Sequence, residues 1–185
     1  MATTTQLRAA CAALRAGGVI AYPTEGVWGL GCDPRNEAAV ERLLAIKRRH
    51  WSKGLILVAA EFEQLEPYVQ LPSRTAQKRA FATWPGPATW IFPASDLTPM
   101  VVSGDRDTVA IRVSAHPVVR QLCLAWGGPI VSTSANLAGR EPARSASAVR
   151  IQLRGRIDAL VPGALGGLDK PTVIRDVISG LILRR

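Results

Sequence analysis

The apolar positions of this chain fall into two rhythms. Between Thr108 and Val113 they alternate: Val109, Ile111 and Val113 form one face, and Thr108, Ala110 and Arg112 the other. The same two-residue period runs through Ile130-Val131-Ser132-Thr133-Ser134-Ala135-Asn136. That segment opens like a buried strand. If its extended backbone persists, Ser132, Ser134 and Asn136 share one face with no acid among them. A purely structural strand would carry apolar or long charged groups there. The two segments together predict a sheet face that hydrogen-bonds a polar ligand, with the Arg112 guanidinium as a fork for carboxylate or phosphate.

The second rhythm is helical. Thr4 or Thr5 is placed to cap a first helix with Leu7, Ala10, Cys11 and Leu14 on its inner side, stopped by Gly17-Gly18. Asn36 caps a second, which buries Val40, Leu43, Leu44 and Ile46 and runs out at Lys47-Arg48-Arg49. Ser73 starts a third that ends near Trp84, before Pro85-Gly86-Pro87. His116 and Pro117 open a fourth that reaches Trp126, and a short basic helix follows Ser145. Short strands are expected at 19–22, 55–59, 88–92, 172–176 and 181–183. Residues 23–34 read as a glycine-bearing loop, and a polar loop follows residue 92. Helices and strands interleave throughout, which predicts an α/β fold: a single domain over 1–185, with a twisted mixed sheet and flanking helices around a basic concave ligand face.

Composition narrows the setting. A chain of 185 residues, 48% hydrophobic and 20% charged, can bury a core without disulfide or metal. Cys11, Cys32 and Cys123 are odd in number and far apart, and only His50 and His116 could join them on zinc. Reduced thiols in a cytoplasm are the expectation. No signal peptide is visible, and the longest apolar run, residues 55–60, is too short for a membrane span. The net charge of +9 suggests polyanionic partners, either nucleotide or RNA. Arg140, Arg144, Arg150, Arg154 and Arg156 form a basic region, but no aromatic residue is interleaved there for base stacking.

Several familiar sites are missing. There is no GxxxxGK[ST] loop, no complete dinucleotide fingerprint, no GxSxG elbow and no HExxH pair. What remains is cations and small polar groups. If the segment from Lys47 to Lys53 is extended, Lys47, Arg49, Trp51 and Lys53 share one face. Three cations beside a polar sheet face suit a triphosphate, because nucleotidyl transfer depends on positioning and charge neutralisation.

Tyr22-Pro23-Thr24-Glu25, Gly29-Leu30-Gly31-Cys32, Lys47-x-Arg49, Pro85-Gly86-Pro87-Ala88-Thr89, Ala110-Ile111-Arg112-Val113 and Ser132-Thr133-Ser134-Ala135-Asn136 resemble the YrdC-like family in order and spacing, over nearly the whole chain. The chain is most similar to the family's short bacterial form. The resemblance implies synthesis of threonylcarbamoyl-AMP and pyrophosphate from L-threonine, bicarbonate or CO2, and ATP with Mg2+. Downstream proteins then transfer the threonylcarbamoyl group to adenosine in tRNA. It also implies that Lys47, Arg49, Ser134 and Asn136 hold ATP and the reacting groups. Arg112 would meet the threonine carboxylate, with Thr24 and Ser132 nearby. Thr108, Lys53, Pro142, Thr172 and Arg184 would be further ligand contacts. Gly26, Trp28 and Lys53-Gly54 depart from the common family pattern. The C-terminal domain of longer members is expected to be absent. A basic RNA-binding module without adenylate chemistry is the alternative reading.

Overall fold

The computed structural model describes residues 1–169 and 172–184. Among these, nine strands form one sheet: β1 (Ile20–Pro23), β2 (Trp28–Gly31), β3 (Ile56–Ala59), β4 (Ala88–Pro93), β5 (Thr108–Val113), β6 (Ile130–Ser134), β7 (Ala159–Leu160), β8 (Val173–Asp176) and β9 (Ile182–Arg184). Their order is β7-β1-β2-β6-β3-β5-β4-β8-β9. The pairs β1–β7, β3–β5 and β4–β8 are parallel and the others antiparallel, so the sheet is mixed, as the tight turns in the sequence imply.

Six α-helices flank it: α1 (Thr4–Arg15), α2 (Glu37–Lys47), α3 (Arg74–Phe81), α4 (Met100–Ser103), α5 (Pro117–Trp126) and α6 (Ala146–Leu153). Their starts follow local chemistry. Asn36, Ser73 and Ser145 each accept a backbone N–H three residues on, and His116 precedes Pro117 at the first helical position. At α1 the cap is Thr3 rather than Thr4 or Thr5, because Gln6 completes a reciprocal capping box with it. Helix α3 stops at Phe81 rather than near Trp84; Thr83 turns its hydroxyl back onto the Ala80 carbonyl, and the Trp84 indole bonds the Ala88 carbonyl instead of extending the helix.

Two apolar layers result. On one face, α1 and α5 cover Ile20, Tyr22, Val58 and Ile130 through Leu14, Val119 and Leu122. On the other, α2, α3 and α6 cover Leu30, Leu57, Ile111 and Val131 through Leu43, Ala80 and Leu153. Each layer is the inner side of a period-two strand against a period-3.6 helix.

Four corrections concern local structure. The loop expected at 23–34 contains β2, paired to both β1 and β6. Its four residues include Gly29 and Gly31, which hide any strand pattern. A Cβ on Gly31 would stand 2.4 Å from the Val131 carbonyl oxygen and 3.0 Å from the Tyr22 ring, so this glycine serves packing. The polar loop after β4 contains α4. A two-residue strand, β7, was not legible at all. Finally, the segment from Lys47 to Lys53 is not extended. Lys47 ends α2, Arg48 adopts the left-handed conformation at φ 48°, and Trp51–Lys53 forms a 3-10 turn. Lys47, Arg49, Trp51 and Lys53 therefore do not share a face.

Candidate functional site

The face covered by α1 and α5 is covered along only half its length. Down β6 the inward residue changes from Ile130, buried under α5, to Ser132 and then Ser134. Down β3 it changes from Val58 to Ile56, and along β5 Arg112, Ala110 and Thr108 lie beside them in register. Where helices stop, hydroxyls and a guanidinium begin. A cleft of about 200 Å3 opens there, lined among others by Thr24, Arg49, Arg112, Ser132, Ser134 and Pro142, with Thr172 and Arg184 from the chain's far end. It continues into a second hollow of about 130 Å3 that shares Arg49 and Arg184 and adds Lys53, Arg106, Thr108 and Ala110. Ten of the twelve residues expected from the sequence line this bipartite cleft.

Lys47 and Asn136 stand behind the wall. The Lys47 ammonium lies at 2.6 Å from the Ser134 carbonyl, 2.9 Å from the Asn136 carbonyl, 2.6 Å from Asn136 Oδ1 and 3.3 Å from Ser134 Oγ. Strand β6 ends at Ser134, so Asn136 is not extended as the alternation supposed. The backbone turns, with the Asn136 amide bonded to the Ser134 carbonyl, and the Ser134 hydroxyl donates to Asn136 Oδ1 at 2.6 Å. The Asn136 amide group donates to the Leu137 and Arg140 carbonyls, which fixes its orientation. Lys47 thus organises the Ser134–Asn136 turn from the α2 side.

Burial, and secondarily the charge of Arg49, pulls the Lys47 amine down to about 8. Because this lies below its unfolded value of 10.5, the unfolded chain binds the proton more tightly between the two. The cost of holding Lys47 charged is then fully present below about pH 8 and relieved as pH rises toward 10.5. Wild type should accordingly gain stability relative to Lys47→Met across that window in urea unfolding. A difference that stays flat or shrinks would contradict the burial.

Cations dominate the cleft. Its lining carries no Asp or Glu among the described residues. Arg49 donates to the Lys53 and Gly54 carbonyls at 3.2 and 2.9 Å, and its Nε has no partner. Burial, then Arg106 and Arg184, lowers its pKa. Arg106 donates to the same Lys53 carbonyl at 2.9 Å. Gly54, at φ 62°, holds this corner; a Cβ there would meet the Ser103 carbonyl oxygen at 2.8 Å, and a proline ring could not adopt that φ. The Lys53-Gly54 departure therefore carries its own backbone path.

Arg112 behaves differently. It donates to Thr172 Oγ1 at 2.8 Å, and its other terminal nitrogen lies 3.5 Å from Oε2 of Glu25. Glu25 is buried, and its Oε1 accepts from the Ser114 hydroxyl at 2.6 Å. Sequence reading passed over Glu25, Ser114 and Arg106. Glu25 lay within a recognised motif, but a carboxylate in a turn has no periodicity to expose it. The turn itself is tied down: Thr24 Oγ1 donates to the Val27 carbonyl, and the Gly166 and Leu168 amides bond the Thr24 and Glu25 carbonyls.

Among the described residues no group of three His, Cys, Asp or Glu is arranged to hold a metal, and no helix is long and apolar enough to cross a membrane.

Comparison with known proteins places this geometry. The Sua5/YciO/YrdC family model, described as telomere recombination, matches residues 12–185. A threonylcarbamoyl-AMP synthase of Halorhodospira halophila is 60% identical over 97% of this chain and 94% of its own length. Sua5 of P. abyssi, crystallised with L-threonine, superposes with a TM-score of 0.87 at 35% identity, covering 92% of this chain; the chain spans only 50% of that protein. YciO of E. coli superposes with a TM-score of 0.88 at 26% identity, over 99% of this chain and 90% of its own. The chain belongs to the Sua5/YciO/YrdC family.

Proposed function

We propose that this protein is a threonylcarbamoyl-AMP synthase, joining L-threonine, bicarbonate or CO2, and ATP into threonylcarbamoyl-AMP with release of pyrophosphate. The observation that carries the reading is the half-covered sheet face, whose described lining residues include no acid, with guanidiniums that pair with no described carboxylate at one end and a paired one at the other. The relatives' shared activity supports it.

The chemistry needs a carboxylate, a carbamate and a triphosphate held together. Arg49, Arg106, Arg184 and Lys53 form an uncompensated cationic end, which suits the triphosphate. Arg112, with Thr24, Ser132 and Thr172 around it, suits the threonine carboxylate. Thr108 and Pro142 edge the nucleotide. Ser134, oriented by Asn136 and Lys47, lines the larger hollow, and the proposal sets its hydroxyl beside the carbamate oxygen that attacks the α-phosphorus. Neutral hydroxyls fix geometry there without adding repulsion to the anions.

Magnesium accompanies ATP in this reading. Among the described residues the lining offers no carboxylate for a resident ion, so the phosphate oxygens would hold the metal in this reading. Passage of the product to proteins that modify adenosine in tRNA belongs to the same proposal. So does a cytoplasmic setting, in keeping with three buried free cysteines.

Purified protein incubated with ATP, magnesium, bicarbonate and radiolabelled threonine should yield threonylcarbamoyl-AMP on chromatography, and omitting ATP or bicarbonate should abolish it. Folded protein that binds ATP yet makes no product would point to another acyl adenylate. Neither ATP binding nor product would favour the RNA-binding module, to which the exposed Arg140, Arg150, Arg154 and Arg156 would then belong.

A further inference from the structure

The two ends of the cleft differ in one respect that the lining residues do not reveal. Arg49, Arg106 and Arg184 have no carboxylate within ion-pair distance among the described residues. Arg112 does, and the partner lies outside the cavity wall. Glu25 reaches it from the β1–β2 turn while staying only 6% exposed. The pair is loose. A relaxed buried Arg–carboxylate contact closes to roughly 2.7–2.9 Å, often with two parallel bonds. Here the approach is 3.5 Å, with no hydrogen bond to Glu25 Oε2 and none from Arg112 Nε. Glu25 is held instead by Ser114, and Arg112 by Thr172. The carboxylate is therefore placed to set the local charge without occupying the guanidinium's fork.

We infer that Glu25 is a specificity-determining residue that acts through Arg112, cancelling its net charge so that this end of the cleft takes a zwitterionic amino acid and rejects phosphate. The inference rests on the assignment of Arg112 to threonine given above. A bare guanidinium accepts carboxylate and phosphate alike. With ATP at the neighbouring cationic end, a phosphate on Arg112 would block the amino-acid site. A buried negative charge beside the fork penalises a multiply charged anion far more than a ligand of zero net charge, so discrimination comes from repulsion as well as attraction. The uncompensated end has no such filter, and a triphosphate settles there.

The test is competition measured by binding, independent of turnover. Calorimetry of L-threonine with wild-type protein at rising inorganic phosphate should show threonine affinity changing by less than about twofold. In Glu25→Gln, which keeps the side-chain shape and a bond to Ser114, phosphate should compete with threonine and weaken it about tenfold or more, as expected when a like-charge penalty is removed. Glu25→Asp, retaining the charge, should keep the wild-type insensitivity. A merely structural Glu25 would alter threonine affinity equally with and without phosphate, and that result overturns the inference. If Glu25→Gln does not fold, the wild-type arm decides: phosphate competing with threonine overturns it. Wild type that binds no threonine at all removes the functional reading itself, which separates the two failures.

Discussion

Lys47→Ala and Arg49→Ala should both lose threonylcarbamoyl-AMP formation, yet they should part company in a thermal melt. Arg49 faces the cleft, and burial, then the charge of Arg106 and Arg184, lowers its pKa. If Arg49 holds the phosphates as proposed, removing it takes away a charged donor, an effect on the order of 10²–10³ in rate. It relieves repulsion from Arg106 and Arg184 but also removes the donor to the Gly54 carbonyl, while the Lys53 carbonyl keeps its bond from Arg106, so the net change in stability should be small. Lys47 presents its ammonium to protein acceptors: the carbonyls of Ser134 and Asn136, and Asn136 Oδ1. Alanine there leaves these oxygens without their donor, at about 1–3 kcal/mol in total after partial rescue by water. The Ser134–Asn136 turn then loosens and the Ser134 hydroxyl, which lines the cleft, is misplaced. Activity should fall as steeply as for Arg49→Ala, together with the melting temperature. Full activity in either variant would remove that residue from the machinery. A stable Lys47→Ala would mean that the turn holds without it.

Arg112→Met should be the most damaging single change. It deletes the guanidinium proposed to hold threonine and strands Glu25 as a buried carboxylate without a countercharge, which typically costs about 3–5 kcal/mol. The second loss is repairable and the first is not. Adding Glu25→Gln removes the stranded charge, so Arg112→Met/Glu25→Gln should recover most of the stability while binding no threonine. Denaturant unfolding and calorimetry on the two variants check this directly. Failure of the double variant to regain stability would show that Glu25 draws its compensation from elsewhere, with His116, which feels the Glu25 charge and whose Nδ1 is buried without a partner, one candidate.

The parts of this site that could be read in the sequence were those with periodicity or a rare residue type. Thr108, Arg112, Ser132 and Ser134 show themselves because a two-residue alternation sets them together on one face of their strands, where a purely structural sheet would be apolar. The starts of α2, α3 and α5 show themselves through Asn36, Ser73 and His116-Pro117. Turns carry no such rhythm. Arg48 in the left-handed conformation rotates everything after Lys47, which is why Lys47 points to the back of the wall while Arg49 points to the front. Likewise β2 consists of residues whose only conspicuous property is the lack of side chains at Gly29 and Gly31, and the reason for it, the Tyr22 ring, lies on another strand. Glu25 escaped because its partner is 89 residues away at Ser114. Tertiary juxtaposition of that kind leaves no local trace.

The strand order has a consequence for how the molecule comes into being. Strand β1 pairs with β7, and the Val19 amide next to it bonds Asp158, 139 residues further on. Strand β2 likewise waits for β6 before it has a second neighbour. Joining segments so remote spends loop-closure entropy long before packing returns it, which puts the chain among slow folders, on the order of milliseconds to seconds. During synthesis the β1–β2 hairpin leaves the ribosome with both edges open, and more than a hundred residues must follow before either is covered. The same early hairpin carries Thr24 and Glu25. The Arg112 end of the cleft is therefore begun first and finished among the last, and a nascent chain stalled midway presents an unprotected ribbon to chaperones or to aggregation.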